Sequence, residues 1–272
     1  MAPYTDRTRR WQDLTAPELA RQVGPDSVAV MVLGAIEQHG EHLPLSTDLD
    51  IGEGLLDAAL SYLEDDAPLW VLPPLAIGAS PEHTSFAGTL SLPPEVAIAT
   101  IEAIGDSLAR AGVRRLVLLN GHGGNNAVMA IAALTLRRRW GMLVVKYHYV
   151  RSAPPSEWLP ADEMRHGLHG GALETALMLH LAPHKVHRDR LGHPASCGEA
   201  MAAQGMRLGP EGEAAFAWLA EDLHPDGVVG NASLATPALG ERLVAHYASR
   251  LASVLDVPRH MTIDAFQARP DE

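Results

Sequence analysis

The chain alternates between short, continuously apolar runs and longer segments whose apolar residues recur at helical spacing. VAVMVLGAI, residues 28–36, has no polar position at all, the pattern of a strand buried on both faces. LWVLPPLAIG (69–78), VRRLVLLN (113–120) and GMLVVKYHY (141–149) read as three further strands. Between them, the spacing predicts helices over 50–63, over 92–112 (opening near Pro93-Pro94 and stopping at Gly112) and after the glycine-rich turn NGHGGNNA. A first helix is expected over 12–23 with Thr15 as N-cap. Residues 151–168 are Pro-rich and read as a long functional loop, because regular pattern resumes at once. HGGALETALMLHLAP is a helix entered through glycines and ended by Pro183. Residues 184–212 carry no legible pattern, GPEGEAAFAWLAED reads as a short helix, and a long helix closes the C-terminal part. This alternation predicts an α/β fold: three α/β/α layers around a mostly parallel central sheet.

The length of 272 residues fits one large α/β domain or two small ones. With no internal repeat, it is read as a single domain over 1–272. Apolar residues make up 47%, which is globular composition. The formal net charge of −12 argues against nucleic acid or an anionic membrane surface as the main partner. Cys197 stands alone, so no intrachain disulfide and no cysteine-based zinc site can form, and any metal must be held by His, Asp and Glu. The polar, basic N-terminus lacks an apolar signal core, and no apolar run approaches the ~18 residues of a membrane span. A cytoplasmic protein is the expectation.

Chemistry concentrates where strands end. GAIEQHGEHLPLSTDLD (34–50) follows the first buried strand and sets Glu37, His39, Glu41, His42, Asp48 and Asp50 within a short stretch. Glu37 and His39 lie two apart and project to one side if the backbone stays extended. The carboxyl end of a parallel strand is where open α/β sheets place their sites. An acidic loop containing histidine is commonly just solvated surface, but two other junctions repeat the chemistry. In LVLLNGHGGNNA, Asn120 and His122 follow a strand, with glycines that let backbone approach a ligand; the Lys of a P-loop and the spacing of a dinucleotide fingerprint are both missing. In HGLHGGALET, His169 lies in a loop, and Glu174, expected about one and a half turns into the next helix, is flanked by apolar residues that would bury it.

Together these blocks, with the SPEH…FAGTLSL loop and GVVGNASLATPALGERL near the C-terminus, resemble the creatininase (creatinine amidohydrolase) family from about Trp11 to Leu251. The resemblance implies a metal-dependent hydrolase of carbon–nitrogen bonds other than ordinary peptide bonds, in which a hydroxide held between two divalent ions (zinc, manganese or iron) attacks a cyclic or linear amide. Residue by residue, Glu37, Asp48 and His122 match the ligands of one metal. His39 matches a ligand of the other, and Asp48 bridges them. His169 matches a catalytic histidine and Ser80 a substrate-contacting position. Gly123 is a candidate donor of backbone N–H, and Glu82 and His83 are candidates for orienting substrate. A closed homo-oligomer, a hexamer, is implied as well.

The chain departs from creatininase itself. Gly124 stands where creatininase has a glutamate ligand, and Glu174 is the candidate replacement. The tryptophans shaping the creatinine pocket have His148 and Arg165 as their nearest counterparts here. NGHGGN-bearing members include the mycofactocin-precursor peptidase and a formamidopyrimidine deformylase, so a small-molecule or peptide amide is the expected substrate. A non-catalytic metal- or ligand-binding protein on the same fold is the rival from another class.

Overall fold

The computed structural model describes residues 9–64 and 66–263. Most of the N-terminal stretch read for a signal sequence therefore lies outside the described residues. Five parallel strands form the main sheet: β1 (Arg9–Arg10), β2 (Val28–Leu33), β3 (Leu69–Val71), β4 (Arg115–Asn120) and β5 (Leu143–His148), in the order β1-β3-β2-β4-β5. Val28 pairs with Arg115 and Leu33 with Asn120, while Arg115 pairs with Leu143 and Asn120 with His148. β2, β4 and β5 therefore end level, along one edge.

Alternate residues of the buried strands face opposite layers, as the pleat demands. Ala29, Met31, Leu33, Leu116 and Leu118 pack on one side with α3 (Pro94–Arg110) and α4 (Asn125–Trp140). Val28, Val30, Val32, Val117 and Leu119 pack on the other with α2 (Thr47–Leu60) and α9 (Pro237–His260). Such double coverage is why these strands show no polar alternation. A further cluster joins Ile51 and Leu55 of α2, Leu173, Ala176 and Leu177 of α6 (Ala172–Leu181), and Leu243, Val244 and Tyr247 of α9. The result is the α/β/α layering expected from the sequence.

Several boundaries differ, each for a physical reason. α1 (Ala16–Gln22) starts only after a 3-10 turn, where Thr15 and Glu18 form a capping box. β3 ends at Val71, because Pro73 and Pro74 cannot donate to a neighbouring strand. α2 begins at Thr47, so Asp48 lies in the first helical turn and not in a loop. The 151–168 segment contains α5 (Ala161–His166), and the patternless stretch contains α7 (Cys197–Ala203). The helix expected over 209–222 does not form. A small parallel pair, β6 (Leu208–Gly209) with β7 (Ala214–Ala215), occupies its start, and only α8 (Ala220–Leu223) is helical. Gly209, Pro210 and Gly212 account for that, since two glycines and a proline in four residues oppose helix.

α6 and α9 approach so closely at Gly240 that a Cβ there would collide with the Ala176 carbonyl and come within 2.9 Å of His180 Cβ. Gly240→Ala is expected to destabilise the fold by about 1–3 kcal/mol, the usual cost of overpacking, read as a lower urea midpoint with an unchanged slope.

Candidate active site

The level strand ends leave a crevice between β2 and β4, where the connections run off in opposite directions. Three segments meet there. The chain leaving β2 carries Glu37 and His39, α2 brings back Asp48 at its N-terminal turn, and the turn after β4 carries His122. A fourth segment arrives from α6, with His169 just ahead of the helix and Glu174 as its third residue, earlier than the spacing suggested.

All of these side chains are removed from solvent. Glu37 and His39 are 0% exposed and Asp48 2%, while Glu174 keeps a sliver of exposure. His122 Nδ1 lies 3.1 Å from Glu37 Oε1 and 3.4 Å from Asp48 Oδ2. His39 Nε2 lies 3.5 Å from Asp48 Oδ1 and 3.9 Å from Glu174 Oε2. His169 Nδ1 is 3.8 Å from Glu37 Oε1. Two triads with geometry that could hold a cation, Glu37–Asp48–His122 and His39–Asp48–Glu174, share Asp48; a third grouping is Glu37–His39–His169.

The imidazoles are oriented from behind. His122 Nε2 lies 3.1 Å from the Ala79 carbonyl, His39 Nδ1 3.2 Å from the Glu37 carbonyl, and His169 Nε2 2.7 Å from the Gln38 carbonyl. A carbonyl only accepts, so in each ring that nitrogen carries a proton and the other nitrogen faces the carboxylates. Asn120 clamps the turn by accepting from His122 N–H at 3.1 Å and donating to the His122 carbonyl at 2.7 Å. Asn125 ties the Gly34 carbonyl to the Ala79 amide, joining the exit of β2 to the loop that follows β3.

These contacts dominate the proton affinities. Burial opposes the charged form of His39, yet Asp48, Glu174 and Glu37 together push its pKa up to about 9. Burial likewise opposes charge on His122, and Glu37 and Asp48 outweigh it, holding the pKa well above the ordinary value. Asp48 is held well below the carboxylate range, against its own burial, by His39 and His122. Burial pushes Glu174 up to about 7. His169 goes the other way: burial, then electrostatic repulsion from the neighbouring His39 and His83 imidazoles, holds its pKa well below the ordinary value.

The remaining sequence candidates fall at several depths. Glu82, His83, Gly123 and Gly124 line a cavity of about 620 Å³ together with Glu37, Asp48, His122, His169 and Glu174. His83 Nε2 is 3.4 Å from Glu37 Oε1, and burial with the neighbouring imidazoles lowers its pKa to about 3. Glu82 Oε1 is 3.4 Å from His122 Nε2, on the side of that ring turned away from the carboxylates. Ser80 is wholly buried, with its hydroxyl 3.2 Å from His122 Nε2, behind the ring and not on the cavity wall. His42 is buried and reaches the Gly170 carbonyl at 2.9 Å, supporting the loop of His169. Glu41 is exposed, and Asp50 pairs with Lys185 at 2.7 Å, away from the cluster. His180, His184 and His187 are on the surface.

Two residues escaped the sequence reading. Gln38 accepts from His169 through its carbonyl, and its side-chain amide donates to the Gly227 carbonyl at 2.6 Å and reaches His83 Nδ1 at 3.0 Å. The buried Glu163 of α5 accepts from Ala172 N at 2.6 Å and Asn231 N at 2.7 Å, pinning the start of α6. Gln38 sits between two motif residues, but nothing in the spacing points it at His169. Glu163 had no motif at all.

Gly124 shows why a side chain is missing at that position. A Cβ there would meet the Ala79 carbonyl, His122 Nε2 at 2.5 Å and Glu82 Oε1 at 2.6 Å. Gly124→Ala should therefore displace His122 from the Ala79 carbonyl and destabilise the protein by about 1–3 kcal/mol, measured by denaturant unfolding. An unchanged midpoint would mean that the turn opens without cost.

The same chemistry occurs in known proteins. The family model for creatininase, described as creatinine amidohydrolase, matches residues 12–255. The mycofactocin precursor peptide peptidase of Mycobacterium ulcerans (strain Agy99) is 35% identical over 220 residues, covering 78% of this chain and 78% of that protein. The creatinine amidohydrolase of Pseudomonas putida is 32% identical over 198 residues, covering 64% and 72%. A crystal structure of creatininase superposes with a TM-score of 0.78 at 26% identity, covering 94% of this chain and 100% of that one. Similar solved chains include a manganese creatininase (TM-score 0.75, 27% identity, 91% and 97% covered) and a mutant creatininase of zinc–zinc type (TM-score 0.74, 26% identity, 89% and 95% covered). With the match spanning every segment that reaches the crevice, this chain belongs to the creatininase family, hydrolases of carbon–nitrogen amide bonds.

Proposed function

We propose that this chain is a two-metal amidohydrolase acting on a peptide-like amide, in the manner of the mycofactocin precursor peptidases more than of creatininase. The observation that carries the reading is the pair of triads sharing Asp48. Glu37 Oε1 and Oε2, His39 Nε2 and Asp48 Oδ2 are all buried without a hydrogen-bond partner. Buried polar atoms are rarely left so, and carboxylate oxygens with imidazole nitrogens are the donor set that zinc and manganese take. The residues therefore fit divalent cations: Glu37, Asp48 and His122 at one site, His39, Asp48 and Glu174 at the other. Glu174 supplies the carboxylate that Gly124 lacks. Bound there, the ions would polarise the amide carbonyl and bring the pKa of a shared water from 15.7 to roughly 7.

The protein groups supply orientation and proton transfer. His169, with its Nε2 proton held on the Gln38 carbonyl and a low pKa, presents a free Nδ1 to the cluster. It takes a proton from the attacking water and returns it to the leaving nitrogen, so the acid is first a base. Ser80 orients His122 in this reading, and Glu82, His83 and Gly123 face the substrate. The cavity holds far more than a five-membered lactam, and its outer wall carries His148, Arg151 and Trp218. That room, together with the peptidase relatives, supports a peptide-like substrate over creatinine or a small formamide. In this reading the chain is a single domain over 1–272, with the family match over 12–255 in support, and it works as a cytoplasmic homo-oligomer. Among the described residues no helix is long and apolar enough to cross a membrane.

The test is metal content together with hydrolysis of a panel of dipeptide amides, formamides and creatinine, with and without chelator. Close to two ions per chain and chelator-sensitive cleavage of the peptide amides are expected; a metal-replete protein inert to the whole panel would instead make it a binding protein. Asp48→Ala should lose both ions, Glu174→Gln only one. His169→Ala should keep both and slow turnover by ~10²–10⁴; loss of metal there would make His169 a ligand.

Metal binding should also release protons. Cations need the ligands deprotonated, and the metal-free protein holds protons on His39, with its pKa at about 9, on His122, held well above the ordinary imidazole value, and partly on Glu174, at about 7. Affinity should therefore rise with pH from about 7 through about 9. Calorimetry in buffers of different ionisation enthalpy measures the release directly, and a zero proton count at pH 7 would contradict it.

A further inference from the structure

Four of the orphaned buried atoms near the crevice, on Glu37, His39 and Asp48, are explained by cations. A fifth is not. Tyr149, just beyond β5, is 0% exposed, and no described residue accepts from its hydroxyl. It lines the same cavity as Glu37, Asp48, His169 and Glu174. Its ring is fixed edge-on between His148, with centroids 5.8 Å apart, and Tyr247, 5.1 Å away. An unmade hydrogen bond on a buried hydroxyl is costly, so a rigid donor left open beside the cluster calls for a ligand that completes it.

We propose that the Tyr149 hydroxyl is a hydrogen-bond donor to the substrate's carbonyl oxygen at the cluster, strengthening as that oxygen becomes an oxyanion. The inference rests on the amidohydrolase reading above and adds a group that touches the reacting atoms. Three features fit the role. Burial, then the carboxylates of Glu174 and Asp48, raise the phenol's pKa well above its ordinary value, so the group is a donor at any working pH. Tyr149 also lines the cavity that Glu37, Asp48 and Glu174 line, where the scissile carbonyl would be polarised. The edge-on packing leaves the ring no need to reorganise as charge develops, which is what makes such donors effective. Tyr247 offers a built-in control. Its hydroxyl is also buried and unpartnered, but it is absent from the cavity wall and sits among the apolar residues between α6 and α9.

The experiment compares wild type, Tyr149→Phe and Tyr247→Phe, each loaded with zinc. Acetohydroxamate serves as the probe, an anionic carbonyl mimic that binds metal ions. Metal content, melting temperature and probe affinity by calorimetry are measured on all three. Tyr149→Phe should keep its zinc, melt no lower than wild type because no protein hydrogen bond is lost, and bind acetohydroxamate roughly ten- to a hundredfold more weakly. Tyr247→Phe should bind it like wild type. Equal affinity in Tyr149→Phe would overturn the proposal, as would a zinc-loaded wild type that ignores the probe. A lower melting temperature with unchanged affinity would assign the hydroxyl to internal solvent. Loss of zinc from Tyr149→Phe would make it a support for Glu174 and not a donor to substrate. A wild type that takes up no zinc or other divalent ion would count against the amidohydrolase reading itself.

Discussion

Two carboxylates with almost no exposure, Glu37 and Asp48, are the constraint around which the crevice is arranged. An isolated buried carboxylate is too costly to keep ionised, so such groups are paired, neutralised or coordinated. Here His39 and His122 approach Asp48 from either side, and His122, His83 and His169 surround Glu37. Without a cation the arrangement is a set of imidazole–carboxylate contacts whose proton affinities are driven far apart. Charge is concentrated while hydrogen bonds are withheld, which costs stability unless a ligand repays it.

The surrounding structure serves to hold that arrangement still. His39, His122 and His169 each have the far nitrogen anchored on a backbone carbonyl, so the orientation of these rings is decided by the backbone of neighbouring segments. Those segments are fixed in turn: Asn125 joins the exit of β2 to the loop that follows β3, Gln38 spans from the β2 exit to Gly227, and Glu163 caps α6 while binding Asn231. Supporting groups of this kind set ligand basicity and tautomer as much as the ligands do. Gly124 belongs to the same logic. The space a side chain would need is taken by His122, Glu82 and the Ala79 carbonyl, and the carboxylate on the far side of the crevice comes from a helix that starts 48 residues later, at Ala172.

Much of this was legible in one dimension. The buried strands announced themselves because double coverage removes polar alternation, and the strand-end motifs did so because Glu37-x-His39 and Asn120-Gly-His122-Gly-Gly each lie within a few residues of a strand. Glu174 could be singled out because a carboxylate flanked by apolar neighbours needs a partner. Local spacing therefore determined the fold class and the edge of the sheet that carries the chemistry, and the resemblance to the creatininase family singled out which of the titratable residues there act together.

Tertiary structure alone decided the rest. Asp48 comes back to Glu37 because α2 starts at Thr47 and not at Asp50, a boundary set by how that helix docks and not by propensity. The roles of Gln38, Glu163 and Tyr149 depend on partners or walls far away in sequence, such as Gly227, Asn231 and Tyr247. Residue spacing encodes which side chains share a face; which nitrogen of a ring turns inward, and which buried hydroxyl lacks a partner, exist only once distant segments are packed together.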